Sequence, residues 1–326
     1  MGEKKTCESP VGGKYLVTSQ EATQPTWIHL TAYQDELSIL SILERIRAQS
    51  KKPDLIRIID NSTLPLQIHE QELPVQIEHQ RKNIGTAGAI NQSIELAQQH
   101  EIEYLWILDQ DSEPTSNLLE ELTYAHQQLA KSSIDPVGII APLTRNQADG
   151  QINVPMRWNR FKPEKIFIGN HIIQAELLPA AGMLVHIPSI KKINLPSNRY
   201  FLDCYDFALG LAVKEVGASV CVVPSLELSH QVSQKVPITT EKDQRLVTDM
   251  PAHRVKLQHR NTTYLATRNS KGIYRLAAVI HQGIKASKHA RRIRRNKLLN
   301  WEKKSHAALH GWLLGLFSLP NAHSRK

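Results

Sequence analysis

Apolar residues recur along the first half of the chain with two spacings that alternate. Short apolar runs bounded by polar residues predict buried strands at 27–30, 55–59, 75–77, 104–108 and 137–141. Between them, apolar residues three or four positions apart predict amphipathic helices at 36–48, 87–99 and 117–130. This alternation of strands and helices is typical of an α/β domain with a mostly parallel sheet and helices on both faces.

The pattern changes after about residue 142. The next apolar runs are shorter and irregular, at 166–168, 177–185 and 220–223. Residues 234–252 are polar and predict a mobile loop, and helical spacing with many basic residues resumes at 253. We therefore divide the chain into a poorly patterned N-terminal segment (1–25), an α/β domain (26–252) and a basic helical region (253–326).

Charge is distributed unevenly along the chain. Residues 271–326 contain 13 Lys and Arg but one acidic residue, Glu302, whereas the remainder is close to neutral. The 3 cysteines show no paired spacing, which disfavours a disulfide framework or a zinc site and suits a reducing compartment. We expect no signal peptide, because the N-terminus is polar, and no membrane span, because no apolar run reaches ~18 residues.

Two carboxylates follow the predicted strand at 104–108, in the tripeptide Asp109-Gln110-Asp111. Carboxylates two positions apart at a strand end are placed to hold a hard divalent cation, and Mg²⁺ prefers one or two carboxylates plus phosphate oxygens. A pair of solvated turn residues is the alternative interpretation. Asp60-Asn61 ends the preceding strand in a similar way, and ligands of such sheets bind beyond the carboxyl ends of the strands.

Three further segments contain candidate functional residues. The loop from Asn83 to Asn91 includes two glycines and enters a helix, where small residues allow a phosphate or sugar to approach; helix–strand packing is the alternative. Asp203 and Asp206 are candidate general bases near a helix start, or acids placed to favour the helix dipole. His230 follows an apolar run and is either a third metal ligand or a structural histidine.

The order of these motifs resembles the family-2 glycosyltransferases and, within them, the bacterial rhamnosyltransferase-like branch. The resemblance covers about residues 27–320 and is most specific at the Leu108-Asp109-Gln110-Asp111-Ser112 stretch. The other matching positions are Thr31 and Tyr33, Asp60-Asn61-Ser62, Asn83-x-Gly85-x-Ala87-Gly88-Ala89-x-Asn91, Phe201-Leu202-Asp203-x-x-Asp206, Val223-Pro224 through His230, and Arg254 with Arg260-Asn261.

The resemblance implies a GT-A fold, with a Rossmann-like nucleotide-binding sheet, and inverting transfer of a sugar from a nucleotide-sugar. It implies that Asp206 is the catalytic base and that Asp111 and His230 hold Mg²⁺ or Mn²⁺ on the diphosphate. Asp60 would contact the nucleotide base, and Asp109 would face the sugar or ribose. The other implied nucleotide-sugar contacts are Thr31, Tyr33, Asn61, Asn83, Gly85, Ala87, Asn91 and Gln110, with Gly182 and Asp203 on the acceptor side.

The resemblance also implies partners. The leading donor is dTDP-rhamnose, with UDP-sugars as the alternative, and the acceptor is a surface glycan such as O-antigen or capsule on a lipid carrier. Two departures from the family pattern concern the helix after the base, where Ala208 and Ala212 replace a Glu and an Arg. They favour an alternative hypothesis, a catalytically impaired nucleotide-sugar-binding or scaffold protein. A nucleotidyltransferase is disfavoured, since no glycine-rich loop followed by Lys is found near the N-terminus.

The basic C-terminal region indicates a location. Residues 285–304 alternate Lys and Arg with apolar side chains, and Trp312 and Phe317 follow. Such helices bind anionic membrane surfaces, with about 1 kcal/mol from each basic residue near the surface. A merely solvated helix is the alternative, and no aromatic stacking pattern accompanies the run, so we expect no nucleic-acid partner. The prediction is a cytoplasmic protein, peripheral at the inner face of the cell membrane.

Overall fold

A computed structural model describes residues 6–8, 14–16, 24–230, 235–240 and 243–317. The strands are β1 (Thr6–Glu8), β2 (Lys14–Leu16), β3 (Thr26–Ala32), β4 (Leu55–Asp60), β5 (Val75–His79), β6 (Tyr104–Asp109), β7 (Ser112–Glu113), β8 (Val137–Asn146), β9 (Met156–Asn159), β10 (Lys162–Lys165), β11 (Ile173–Gln174), β12 (Leu184–His186), β13 (Ser219–His230), β14 (Lys235–Thr240) and β15 (Asp243–Thr248). The helices are α1 (Glu36–Arg47), α2 (Gly85–Gln99), α3 (Leu118–Ser132), α4 (Tyr205–Glu215), α5 (Ala252–Asn269), α6 (Ile273–Arg295) and α7 (Trp301–Phe317).

A nine-stranded sheet organises the α/β part of the chain, in the order β11-β13-β8-β12-β6-β3-β4-β5, with β7 paired to β13. The strands β6, β3, β4 and β5 are mutually parallel, and so are β8 and β13. The short strands β12, β11 and β7 pair antiparallel. The predicted α/β class with a mostly parallel sheet is confirmed.

Two apolar layers cover the two faces of this sheet. Successive strand residues point to opposite faces, so Trp27 belongs to the layer beneath α2 and α4, and Ile28 to the layer beneath α1 and α3. The central strands β3 and β6 are buried at nearly every position, because helices cover both faces of the sheet. The carboxyl ends of β3, β4 and β6 therefore emerge at one edge of a rigid sheet.

The three C-terminal helices pack against one another. Glycines allow α7 to approach α5 closely, since a Cβ at Gly311 would lie 2.3 Å from the Lys256 carbonyl oxygen and one at Gly315 would lie 2.6 Å from that of Arg260. A small apolar cluster that includes Val255, Ile293 and Ala308 lies between the helices. None of the helices in the described ranges is both long and apolar enough to cross a bilayer.

The structure departs from the sequence prediction in two places. Strand β8 continues to Asn146, five residues beyond the predicted end, because it stays buried where it pairs with β13. The polar stretch 234–252 was predicted as a mobile loop, and this prediction is wrong for most of it: β14 and β15 form an antiparallel hairpin there. In the strand Lys235–Thr240, three of the six residues are polar and Pro237 interrupts the run, so its strand signal is weak.

Candidate active site

The edge of the sheet brings the predicted strand-end residues together. In β3, Thr31 is in register with Ile59 of β4 on one side and with Asp109 of β6 on the other, and Ala32 is in register with Asp60. Neighbouring strands lie about 4.8 Å apart. Asp60 and Asp109 thus lie two strands apart at the edge where ligands of parallel sheets bind.

Asp109, Asp111 and His230 form a compact cluster. Nε2 of His230 lies 3.0 Å from Oδ2 of Asp109 and 3.2 Å from Oδ1 of Asp111. The two-residue strand β7, which follows the acidic tripeptide, pairs antiparallel with the end of β13, where Ser112 is opposite His230. The short strand pair therefore carries the histidine to the two carboxylates across more than 100 residues of sequence.

The cluster carries opposite charges in contact. Burial disfavours the charged imidazole, but its two carboxylate partners outweigh this and raise the pKa of His230 to about 10. Burial also disfavours ionised Asp109, yet the hydrogen bond and positive charge of His230 hold the pKa of that carboxyl below its usual range. At neutral pH an imidazolium therefore bridges two carboxylates, and a cation that takes Nε2 as a ligand must displace its proton.

The donor set fits a divalent cation. One ligand atom from each of Asp109, Asp111 and His230 lies within 4.8 Å of the other two. Two carboxylates and one imidazole leave coordination positions for substrate oxygens. Nδ1 of His230 is buried and makes no hydrogen bond within the described part of the chain. Since Asp109 joins the cluster, the predicted division of labour, with Asp111 on the metal and Asp109 on the sugar, stays a prediction.

Asp206 lies in the first turn of α4, after a backbone segment with unusual geometry. Phe201 and Cys204 have φ of 61° and 66°, in the left-handed region that few side chains adopt. Asp206 Oδ1 accepts a hydrogen bond of 2.9 Å from the amide of Phe207. Burial raises the pKa of Asp206 to about 7. The hydrogen bond from Phe207 opposes this shift, and the negative charges of Asp203 and Asp109 add to it. A carboxyl with this pKa exchanges protons near neutral pH.

Helix α5 holds the segment that carries Asp206. The side-chain amide of Asn261 donates to the carbonyl oxygens of Tyr200, at 2.6 Å, and Asp203, at 2.7 Å. Arg254 lies 3.7 Å from Asp203, whose other carboxylate oxygen is buried without a described hydrogen-bond partner. Burial raises the pKa of Asp203, and Arg254 opposes this shift. Arg254 and Asn261, which belong to the late motif of the sequence, therefore stabilise the segment before α4.

Asp60 is fully buried, and its oxygens are already engaged. Oδ1 accepts from the amide of Ser62 at 2.8 Å, and Oδ2 accepts from the amide of Leu66 at 3.1 Å and contacts Nδ1 of His79 at 2.9 Å. Burial alone would raise its pKa, but the hydrogen bonds from Ser62, His79 and Leu66 lower it below the usual range. Asp60 is an ionised carboxylate that fixes the loop after β4.

The predicted phosphate-approach loop is tied to the segment before α4. Gly85 has φ of 68°, and a Cβ there would lie 2.1 Å from the carbonyl oxygen of Phe201, to which the amide of Ala87 donates at 3.1 Å. In the side chain of Asn91, Nδ2 donates to the carbonyl oxygen of Pro196 and to Oδ1 of Asn198, and Oδ1 accepts from the hydroxyl of Tyr205. In this structure these three residues position the 196–205 segment.

The remaining predicted residues occupy varied places. Asn61 Oδ1 accepts from the amide of Ile84 at 2.9 Å, and Asn83 Oδ1 accepts from that of Gly85 at 2.8 Å, so both shape the turn before α2. Tyr33 is 49% exposed, and its amide donates to the side chain of Gln110 at 2.8 Å. Gly182 is buried beside β6, where its amide donates to the carbonyl oxygen of Ile107 at 2.8 Å and a Cβ would lie 2.9 Å from Leu228 and Pro142.

Three residues that were not predicted as site residues support the site. His79 contacts the Asp60 carboxylate, because the two residues are in register where β4 pairs with β5; no local sequence motif indicates this contact. His29 is buried between Ser93 and Thr31, and burial lowers its pKa to about 3, so a neutral ring holds the Thr31 hydroxyl at 2.9 Å. Ser112 accepts a 3.0 Å hydrogen bond from the amide of Asp109, within the motif itself.

Comparison with known proteins adds a family match. Residues 27–183 match the model of glycosyl transferase family 2. This range contains β4 to β6 and all of β3 except its first residue, together with Asp60, Asp109 and Asp111. No curated protein matches the sequence of the chain.

A solved structure with a TM-score above 0.5 shares the fold. GalNAc-T7, in a crystal structure with UDP, GalNAc and Mn²⁺, is 12% identical with a TM-score of 0.52, over 76% of this chain and 51% of that one. The chain thus spans about half the length of that structure. TarS 1-349 of S. aureus in complex with UDP is 13% identical with a TM-score of 0.47, over 81% of this chain and 71% of that one. The chain has a GT-A-like fold, and the family model matches a little less than half of it.

Proposed function

We propose that the chain is an inverting, metal-dependent glycosyltransferase that moves a sugar from a nucleotide-sugar to a hydroxyl of a glycan acceptor. The observation that carries the proposal is the cluster of three candidate metal ligands at the sheet edge. Asp109, Asp111 and His230 offer a cation three ligand atoms, and Asp206 is close enough for the charge of Asp109 to raise its pKa. The family-2 match over residues 27–183 supports the same reaction class.

The residues divide the work as follows. Asp109, Asp111 and His230 would hold a divalent cation, which as a Lewis acid stabilises the negative charge on the departing diphosphate. Asp206 takes the proton of the acceptor hydroxyl as that oxygen attacks the anomeric carbon from the side opposite the diphosphate. One displacement of this kind inverts the anomeric configuration. Ionised Asp60 fixes the loop after β4, beside which the nucleotide base would bind.

The substrate proposal is more specific. The Leu108–Ser112 stretch resembles the rhamnosyltransferase-like branch, so we propose rhamnose as the sugar and dTDP-rhamnose as the leading donor, with UDP-sugars next. The proposed acceptor is a surface glycan on a lipid carrier, which places the chain at the cytoplasmic face of the cell membrane. Thermal unfolding with Mn²⁺ and a panel of dTDP-, UDP- and GDP-sugars tests the donor, because a ligand that binds the native state raises Tm. A rise with dTDP-rhamnose above the others supports the proposal, and no rise with any nucleotide-sugar contradicts it.

The alternative, an impaired scaffold protein, rests on Ala208 and Ala212. Both line a cavity of ≈ 260 Å³ bounded by Tyr200, Tyr264 and Arg268. Asp206 does not line this cavity, and the metal-binding cluster is made by other elements. The two alanines therefore leave the groups of the proposed chemistry in place, which favours the enzyme over the scaffold.

The proposed base predicts a pH profile. Asp206 must be ionised to accept a proton, and its raised pKa of about 7 means that kcat rises with pH up to about 7 and falls about tenfold per unit below it. Asp203→Asn removes a neighbouring negative charge, so it moves the rise to lower pH. The measurement is kcat against pH at saturating donor and metal for both proteins. An unshifted profile in Asp203→Asn would show that another group titrates.

The ligand set also predicts metal preference. Mn²⁺ and Mg²⁺ both bind carboxylates, but Mg²⁺ demands near-ideal octahedral oxygen coordination and keeps several waters, so a site with one imidazole suits it less well. We expect Mn²⁺ to bind more tightly than Mg²⁺, and His230→Asn to weaken Mn²⁺ binding by at least ~10-fold with a smaller effect on Mg²⁺. Mn²⁺ paramagnetic resonance titration with Mg²⁺ competition measures both. His171→Asn, at an exposed histidine, is the matched control, and equal losses for the two metals would refute the assignment of His230 as a ligand.

A further inference from the structure

The outer face of α6 changes character halfway along the helix. Leu276, Ile280 and Ile284 are 60%, 54% and 48% exposed and lie one turn apart, so they form one row. The same row continues as exposed Lys288, Arg291 and Arg295. Along this helix of 23 residues, the row is therefore apolar in the first half and basic in the second.

Helix α7 extends this division. It runs antiparallel to α6, because Trp312 Nε1 donates to the Val279 carbonyl oxygen at 3.1 Å and Ser305 Oγ donates to that of Ala290 at 3.2 Å. The C-terminal end of α7 thus lies beside the apolar half of α6. Leu309 and Leu313 of this end of α7 are 40% and 45% exposed. The two helices share one surface, which we call the α6–α7 face, with an apolar end and a basic end.

The tryptophans of this region are not part of the face. Trp312 packs against Gly283 between α6 and α7. Trp301 packs against the apolar cluster that includes Val255 and Ile293, with the guanidinium of Arg294 over its ring. The face is instead built from aliphatic residues that begin at Leu276, upstream of the basic run that the sequence highlights. The apolar part of the α6–α7 face is therefore formed by residues of both helices.

We propose that the α6–α7 face docks on an anionic lipid bilayer, with its apolar end at the acyl boundary and its basic end against the headgroups. Charge complementarity selects this partner: residues 271–317 carry 11 Lys and Arg and one acidic residue, Glu302. Exposed aliphatic residues beside a basic surface bind anionic interfaces through burial and electrostatic attraction together. A second copy of the same face would offer the basic end no acidic side chain other than Glu302.

The docked face is coupled to the candidate active site through α5. α7 packs closely on α5, and Asn261 of α5 holds the segment before Asp206. Deleting residues 285–326 would remove α7 and so destabilise α5 and the segment before Asp206. Substitutions on the exposed α6–α7 face therefore test membrane binding more specifically than the deletion does. The inference does not depend on the proposed glycosyl transfer, and its test needs no activity measurement.

The experiment is co-sedimentation of the full chain with vesicles of phosphatidylcholine alone or mixed with phosphatidylglycerol. We expect binding to the anionic vesicles and far weaker binding to the neutral ones. Arg291→Gln with Arg295→Gln should weaken binding about 30-fold, and Leu276→Gln with Ile280→Gln at least about tenfold. The matched controls lie on the α/β part: Lys191→Gln with Lys192→Gln for charge and Ile134→Gln for exposed apolar area.

Each outcome decides the proposal. Losses confined to the α6–α7 variants, with circular dichroism unchanged, support it. Equal losses in the controls, equal binding to both kinds of vesicle or no binding to either would overturn it. So would a dimer in solution that Leu276→Gln with Ile280→Gln converts to monomer without any change in vesicle binding, because the face would then be an interface between copies.

Discussion

Replacement of Asp206 by Asn is expected to lower kcat by about 10²- to 10⁴-fold while donor binding stays unchanged. The side-chain amide is close in shape to the carboxylate but does not accept the proton of the acceptor hydroxyl. Asp206 lies at the start of α4, where burial and two neighbouring carboxylates raise its pKa to about 7. Steady-state kinetics give kcat, and calorimetry with donor and Mn²⁺ gives the affinity.

The matched control for Asp206→Asn is Glu215→Gln, an exposed acid at the other end of the same helix. It should leave kcat within about twofold, since surface substitutions are usually near neutral. The pH profile adds a second readout, because the rise in kcat toward pH 7 should vanish with the carboxyl group. A variant with full kcat, or with an unchanged pH profile, would remove Asp206 from the role of base.

Asp111→Asn should abolish most metal-dependent function. It removes one of the two carboxylate charges that contact Nε2 of His230. We expect Mn²⁺ affinity to fall at least ~100-fold and kcat/KM by about 10³-fold, because the cation stabilises charge on the leaving diphosphate. Mn²⁺ paramagnetic resonance measures binding independently of activity.

The control for Asp111→Asn is Asp135→Asn, an exposed acid in the loop after α3. Its Mn²⁺ affinity should equal that of the unmodified chain. High Mn²⁺ concentration should partly restore activity in Asp111→Asn, because the loss is one of affinity. Full Mn²⁺ binding by Asp111→Asn would contradict the assignment, and normal binding with lost activity would move Asp111 from the metal to the substrate.

Periodicity was sufficient to predict the strands and helices around the site. β4 and β6 are buried on both faces, so their apolar runs end where the chain leaves the sheet, at Asp60 and Asp109. Parallel pairing through β3 then places both carboxylates at one edge. These positions follow from local sequence together with the rule that ligands bind at the carboxyl ends of strands.

The completion of the site depends on long-range pairing that local sequence does not encode. His230 reaches Asp109 and Asp111 only because the two-residue strand β7 pairs with the end of β13. The family resemblance supplied this link, whereas composition and spacing did not. Similarly, His79 contacts Asp60 through strand register, without any local motif.

Gly85 and Asn91 of α2 show a second limit on prediction from sequence. Their residue types suit both ligand approach and chain packing, and sequence does not separate the two. The structure gives Gly85 a close contact with the Phe201 carbonyl and engages the side chain of Asn91 with Pro196, Asn198 and Tyr205. Both residues support the segment that carries Asp206, so their substitution should act on kcat through position.

The most direct test of the proposed reaction is the product made from a nucleotide-sugar, with dTDP-rhamnose first, in the presence of Mn²⁺ and a lipid-linked glycan acceptor. Release of nucleoside diphosphate and the anomeric configuration of the new bond, read by nuclear magnetic resonance, are measured together. We predict release that EDTA abolishes and a configuration opposite to that of the donor. A retained configuration, transfer that persists in EDTA, or nucleotide binding without release from any donor would contradict metal-dependent inverting transfer at this site.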